Sequence, residues 1–236
     1  MHWNMPRMLN IGVYLENTNR ASIASSTTHI SFFSGRLTHN QTHMKAEPLS
    51  LPEVILLSPT RHEDARGFFI ETWNRETLAG LGINIDFVQD NHSLSVPAGT
   101  VRGLHFQAPP FAQAKLVRVV RGSVFDVAVD IRKGSPTYGL WAGATLSANN
   151  SQQLFVPEGF AHGFITLEPD TEVLYKVNNS YSAEHDGGIL WNDPALGIEW
   201  PETTSTVLSD KDKTLPLLEH FDSPFSYTET AAGVSV

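Results

Sequence analysis

The sequence predicts an all-β protein, a sandwich or a barrel, and three observations predict it. From residue 53 to residue 177 short apolar runs rich in Val, Ile, Phe, Tyr and Leu follow one another, separated by Gly, Pro and Asn. In VFDVAVD at 124–130, Phe125, Val127 and Val129 alternate with Val124, Asp126, Ala128 and Asp130, so one strand face is apolar and the other carries two carboxylates. Only 75–81 has helical character before residue 207, and it is short. Many short strands with turn residues between them must bury their faces against another sheet or close on themselves.

Taken in order, residues 1–43 scatter Asn, Ser, Thr and His among isolated apolar residues without a period, which predicts a poorly ordered extension. Within it, 22–34 could add an edge strand. Met44 opens MKAEPLSLPEVILLSP, which reads as a natural start, and a folded domain is expected over 44–225. Strands are expected at 53–57, 67–73, 86–90, 100–107, 114–121, 123–130, 139–146, 153–157, 163–166 and 172–177. The stretch WNDPALGIEWP at 191–201 is bounded by proline and reads as irregular. A turn of helix is expected within 207–218, and 226–236 reads as a polar tail.

Composition narrows the function classes. With 41% hydrophobic residues over 236, the chain can bury a substantial core. It has no cysteine, which excludes disulfides, thiolate metal sites and thiol nucleophiles, and the cytosol is the expected compartment. Sixteen Lys plus Arg against 25 Asp plus Glu give a formal charge of -9, which argues against a broad nucleic-acid surface. An anionic small molecule would need a local basic pocket. No apolar run approaches the roughly 20 residues of a membrane span, and the first residues lack the pattern of a signal peptide.

The residues fit for chemistry centre on VRGLHFQAPPFAQAKL at 101–116, which sets His105 between the cations Arg102 and Lys115. A base beside fixed positive charge suits proton abstraction next to a carbonyl, where charge grows on an oxygen. The plain alternative is a strand histidine with two surface cations. PEGFAH at 157–162 places His162 after a Pro-x-Gly turn, as one half of a cupin metal site does. The other half would need two histidines one residue apart and a carboxylate, and 104–107 supplies one histidine. A metal needs three or more ligands, so no metal site is expected. Tyr175 and Tyr181 in LYKVNNSY are a possible acid or packing residues. On composition alone, Asp130 and Arg132 read as a solvated strand face, and Asp210, Lys211 and Asp212 in LSDKDK as a surface charge run.

In order along the chain, DARGFF, QDNHS, VRGLHFQ, QAKLV, SPTYG, VPEGFAHGF, LYKV, NDPALGIEWP and LSDKD give a pattern that resembles the dTDP-4-dehydrorhamnose 3,5-epimerase family from about residue 44 to about residue 218. The resemblance implies a cupin-like jelly roll with a few short helices, working as a homodimer without metal or other cofactor. It implies epimerisation at C3 and C5 of dTDP-4-dehydro-6-deoxy-D-glucose through enolates, in dTDP-L-rhamnose or related deoxysugar biosynthesis. Single-centre epimerases share much of this framework, and a metal-dependent cupin enzyme is the more distant alternative.

By position, the resemblance makes His105 the base, Asp212 its carboxylate partner, Lys115 the cation near the C4 oxygen and Tyr175 the acid on the opposite face of the sugar. It makes Asp126 an inward carboxylate near the lysine and His162 a pocket histidine that contacts the sugar. Arg66, Glu71, Gln89, Asn91, Arg102, Tyr181 and Lys211 fall on or beside positions that hold the thymidine diphosphate, some from the partner subunit. Asp212 thereby moves from a surface run into the site. One departure is the link SVPAGT at 95–100, one residue longer than the family pattern.

Overall fold

The computed structural model describes residues 44–228. The expected extension over 1–43 and residues 229–236 of the expected tail lie outside that range. In chain order the strands are β1 (Met44–Pro48), β2 (Ile55–Pro59), β3 (Arg61–Asp64), β4 (Gly67–Ile70), β5 (Gln89–Ser95), β6 (Val101–Gln107) and β7 (Lys115–Arg121). They continue with β8 (Ser123–Asp130), β9 (Trp141–Ser147), β10 (Gln153–Val156), β11 (Phe160–Thr166), β12 (Thr171–Val177) and β13 (Asp186–Gly188). A six-stranded sheet runs β1-β2-β10-β7-β12-β5 and a five-stranded sheet runs β13-β6-β11-β8-β9, all antiparallel. β3 and β4 form a separate hairpin.

The two sheets face each other as a cupin-like jelly roll. Val117, Val119, Leu154 and Val173 of the larger sheet meet Val124, Ala128, Leu146, Phe160 and Phe164 of the smaller one. Two further apolar layers cover the outer faces. Helix α1 (Arg75–Gly80), capped by the Asn74 side chain, brings Leu78 onto Ile55, Leu57, Leu116 and Phe155. The 191–225 region lays Leu196, Ile198, Trp200, Leu218 and Phe225 over Leu104, Val127 and Val129. β8 is therefore covered on both sides, with its two carboxylates directed between the sheets.

That placement corrects the reading of Asp130 and Arg132 as a solvated face. Asp130 is fully buried and accepts bonds from Arg132, from Ser135 Oγ at 2.6 Å and from Thr137 Oγ1 at 2.7 Å. Burial works against its charge, but these donors outweigh it and hold the carboxyl below the ordinary range.

Most expected strands are present, with shifted ends. The strand expected at 86–90 is instead β5, because its inward residues Gln89, Asn91, Ser93 and Ser95 are polar and hide the alternation. β1, β3 and β13 were not expected; β3 is charged and exposed along its length, and β13 is three residues long. The turn of helix within 207–218 is α2 (Asp210–Lys213), and 191–201 carries no helix or strand.

One backbone contact fixes the middle of the smaller sheet. β6 and β11 approach so closely at Gly103 and Gly163 that a Cβ on Gly103 would lie 2.5 Å from the Gly163 Cα. Gly103 has φ +133°, a conformation that a residue with a side chain rarely adopts. The register of the pair shifts beside this point, between His162 and Phe164, and His162 stands opposite His105.

Candidate active site

A pocket of about 480 Å³ opens between the two sheets, within the size range of small-molecule sites. His105, His162 and Arg102 come to it from the five-stranded sheet, Lys115 and Tyr175 from the six-stranded sheet, and Lys211 and Asp212 from α2. Alternation along the strands, broken on β6 by the register shift at Gly103, decides which side chains reach it. On β6, Leu104 and Phe106 turn outward into the layer covered by the C-terminal region, and His105 between them turns inward.

His105 Nε2 lies 2.6 Å from Asp212 Oδ1. Asp212 is almost wholly buried, and burial opposes its charge. The His105 bond, the Ser209 hydroxyl and the Gly103 amide outweigh that and hold its carboxyl below the usual range. An ionised carboxylate only accepts, so the proton of the neutral imidazole sits on Nε2 and the lone pair on Nδ1. α2 makes this possible: Ser209 caps it by accepting from the Asp212 amide at 3.1 Å, which turns Asp212 inward while Asp210 and Lys213 pair on the surface at 2.9 Å.

Lys115 begins β7 in the buried floor of the pocket, with its ammonium 3.3 Å from the His105 carbonyl oxygen. Burial lowers its pKa to about 8; Asp126 and then Asp186 favour the charged form, and Lys211 opposes it. Asp126 is 0% exposed, so it stands behind the pocket wall and reaches the cavity through its neighbours. Its Oδ1 lies 2.9 Å from His162 Nε2, and its Oδ2 is buried with no hydrogen-bond partner. Asp126 supports His162 directly and favours the charged form of Lys115. Burial lowers the pKa of His162 although Asp126 opposes it, which favours the neutral ring.

Tyr175 faces His105 from the opposite sheet, and burial, against the pull of Arg102, raises its hydroxyl pKa and keeps it an acid. Arg102 is anchored to β5 through Ser95 Oγ at 3.1 Å and the Leu94 carbonyl at 3.0 Å. Gln89 and Asn91 bond each other at 2.8 Å and sit farther along the inner face of β5, where Gln89 Oε1 accepts from the Tyr181 amide at 3.0 Å. The 95–100 link is tied down at both sides: Gly99 N donates to Thr166 O at 2.7 Å, and Gly99 O accepts from Val207 N at 2.9 Å.

Arg66 and Glu71 are not part of this pocket. Arg66 is an exposed hairpin residue held by Asp64, and Glu71 bonds Asn74 and Thr77 at the start of α1. Two residues not anticipated from sequence belong at the site. Ser93 lines the pocket with a buried hydroxyl that has no partner. Asp186 accepts from Tyr181 and Lys211 at its edge. Among the described residues, no group of three or more His, Asp or Glu could hold a metal ion, and no helix is long and apolar enough to cross a membrane.

A family model described as dTDP-4-dehydrorhamnose 3,5-epimerase matches residues 48–220. A curated dTDP-4-dehydrorhamnose 3,5-epimerase from Sinorhizobium fredii is 54% identical over 190 residues, covering 79% of this chain and 95% of the relative. The crystal structure of the Bacillus anthracis enzyme of that name, with TDP and PPi bound, is 55% identical with a TM-score of 0.71, over 74% of this chain and 99% of that one. A Legionella pneumophila dTDP-6-deoxy-D-glucose-3,5-epimerase, solved in complex with dTDP-4-keto-L-rhamnose, is 42% identical with a TM-score of 0.76, over 79% of this chain and all of that one. A jelly roll with a His–Asp pair, a buried lysine and a facing tyrosine in one inter-sheet pocket, matched over most of its length in these comparisons, belongs to the dTDP-4-dehydrorhamnose 3,5-epimerase family.

Proposed function

We propose that this protein epimerises dTDP-4-dehydro-6-deoxy-D-glucose at C3 and C5 to dTDP-4-dehydro-L-rhamnose, with no cofactor, for dTDP-L-rhamnose or a related deoxysugar. The observation that carries the mechanism is that His105 and Tyr175 enter one pocket from opposing sheets, with Lys115 between the layers. Both hydrogens are alpha to the C4 carbonyl. The His105 Nδ1 lone pair takes the C3 proton, the C–H electron pair becomes the C3–C4 double bond, and the negative charge goes to O4. The Lys115 ammonium stabilises that oxyanion, and Asp212 stabilises the imidazolium. Tyr175 returns a proton to the opposite face of C3, the carbonyl reforms, and His105 and Tyr175 exchange protons with solvent before the same steps at C5. General-base and oxyanion contributions are each worth about 10²-fold or more.

Arg102 and Lys211 supply cations at the pocket for the diphosphate, and Tyr181, 60% exposed, offers a ring face to the base. The β3–β4 hairpin supports a homodimer. Phe68 and Phe69, 59% and 70% exposed, stand beside Arg66, and a second copy would cover them and bring Arg66 and Glu71 toward its own nucleotide end. The cytosol fits a cysteine-free chain.

Proton NMR of the substrate in D₂O with metal-stripped protein tests the reaction. Loss of both the C3 and C5 signals is expected, with His105→Ala abolishing both while the fold stays intact. Loss of one signal alone overturns the double epimerisation, and no loss overturns the reaction.

A further inference from the structure

α2 is a helix of four residues and depends on ties to the body of the protein. The chain enters it from Val207, which accepts from Val101 N at 2.9 Å, and leaves it toward Pro216, whose carbonyl accepts from Leu190 N at 2.8 Å. Between those points two consecutive residues reach neighbouring strands of the five-stranded sheet. Asp212 bonds His105 on β6, and Lys211 pairs with Asp186 on β13. β13 lies directly beside β6, with Asp186 opposite Gln107 and Gly188 opposite His105. Asp186 Oδ2 also accepts from the Tyr181 hydroxyl at 3.2 Å, and its side chain is only 20% exposed.

We propose that Asp186 is a positioning residue, which holds α2 through Lys211 so that Asp212 stays seated against His105. The proposal rests on reading the pocket as an epimerase site. Lys211 and Asp212 share a backbone, so an anchor on one fixes the direction in which the other can project. The Asp212 contacts to His105 and to the Gly103 amide lie on β6 alone and would leave a one-turn helix able to pivot about that strand. The second anchor on the adjacent strand removes that rotation. Partial burial makes the Asp186–Lys211 pair less screened than an ordinary surface pair. The same carboxylate accepts from the Tyr181 hydroxyl, which steadies it for its bond to Lys211.

The test compares Asp186→Ala, Asp186→Glu and Asp212→Asn with the full-length wild type in two assays. By hydrogen–deuterium exchange, the amides of 210–213 should exchange about tenfold faster in Asp186→Ala, with β7 and β12 unchanged. In the substrate assay, kcat should fall about tenfold or more in Asp186→Ala, and Asp186→Glu should recover a large part of it. In an Asp212→Asn background, adding Asp186→Ala should change kcat less than about twofold, since Asp186 acts through Asp212. Unchanged protection of 210–213, or effects on kcat that multiply, overturns the proposal. If wild-type protein exchanges neither substrate hydrogen, the functional reading fails, and the amide protection alone decides whether Asp186 holds α2.

Discussion

The pH dependence of the reaction should be governed on its alkaline side by Lys115. An ammonium is needed to take up charge on O4, so activity should be present below its pKa and lost above it. Burial sets that pKa at about 8, opposed by Asp126 and Asp186 and assisted by Lys211. One ionisation at about 8 leaves about half the protein active at pH 8 and about a tenth at pH 9. Tyr175 must also keep its proton, but burial raises its pKa above the ordinary 10, so its loss falls at higher pH and the two limbs separate. Asp126→Asn removes the largest charge that favours the ammonium, and the limb should move toward acid by about one unit. Lys115→Arg keeps its charge at every accessible pH, so whatever activity remains should lose the limb near 8. The assay is the rate of deuterium uptake at C3 and C5 from pH 6 to 10 at constant ionic strength. A wild-type rate flat through pH 9.5, or a limb that Asp126→Asn leaves in place, would refute the assignment of Lys115 as the oxyanion cation.

Tyr175→Phe should leave deuterium uptake largely intact and cut net inversion at least tenfold, because His105 can still remove and return a proton on its own face; product analysis beside the NMR assay separates the two. Gly103→Ala should lower stability by more than about 2 kcal/mol, since its Cβ would lie 2.5 Å from the Gly163 backbone and its φ is +133°; a shift in the urea midpoint at constant slope measures it. Phe68→Ser with Phe69→Ser should convert the proposed homodimer to monomer in sedimentation at micromolar protein without loss of β-sheet circular dichroism.

The legible parts of the fold were those where burial is one-sided or complete. β7, β8 and β12 carry unbroken or alternating apolar residues, and their spans follow from that pattern. β5 was displaced because its inward face lines a polar pocket, and β13 was missed because HDGGIL has neither period nor length. At the site, His105 and Lys115 stood out through their spacing, whereas Asp212 read as one charge in a surface run. Its burial comes from the Ser209 cap and from strands a hundred residues earlier, which local pattern does not carry. Asp186 escaped notice for the same reason: its partners Lys211 and Tyr181 meet it only after the sheet has formed. For His162 the sequence shows only the Pro-x-Gly turn before it; its partner Asp126 lies on the neighbouring strand, a pairing that local pattern does not carry.

The His105–Asp212 bond joins residues 107 positions apart, and it has a consequence for the order in which the molecule gains and loses competence. Closing so long a loop is entropically costly, so this contact should form after the sheets have paired and should open before they part. Titration with urea should therefore silence the enzyme at concentrations where far-ultraviolet circular dichroism is still native. During refolding, the return of turnover should lag behind the return of β structure, which makes turnover a clock for the last event in folding.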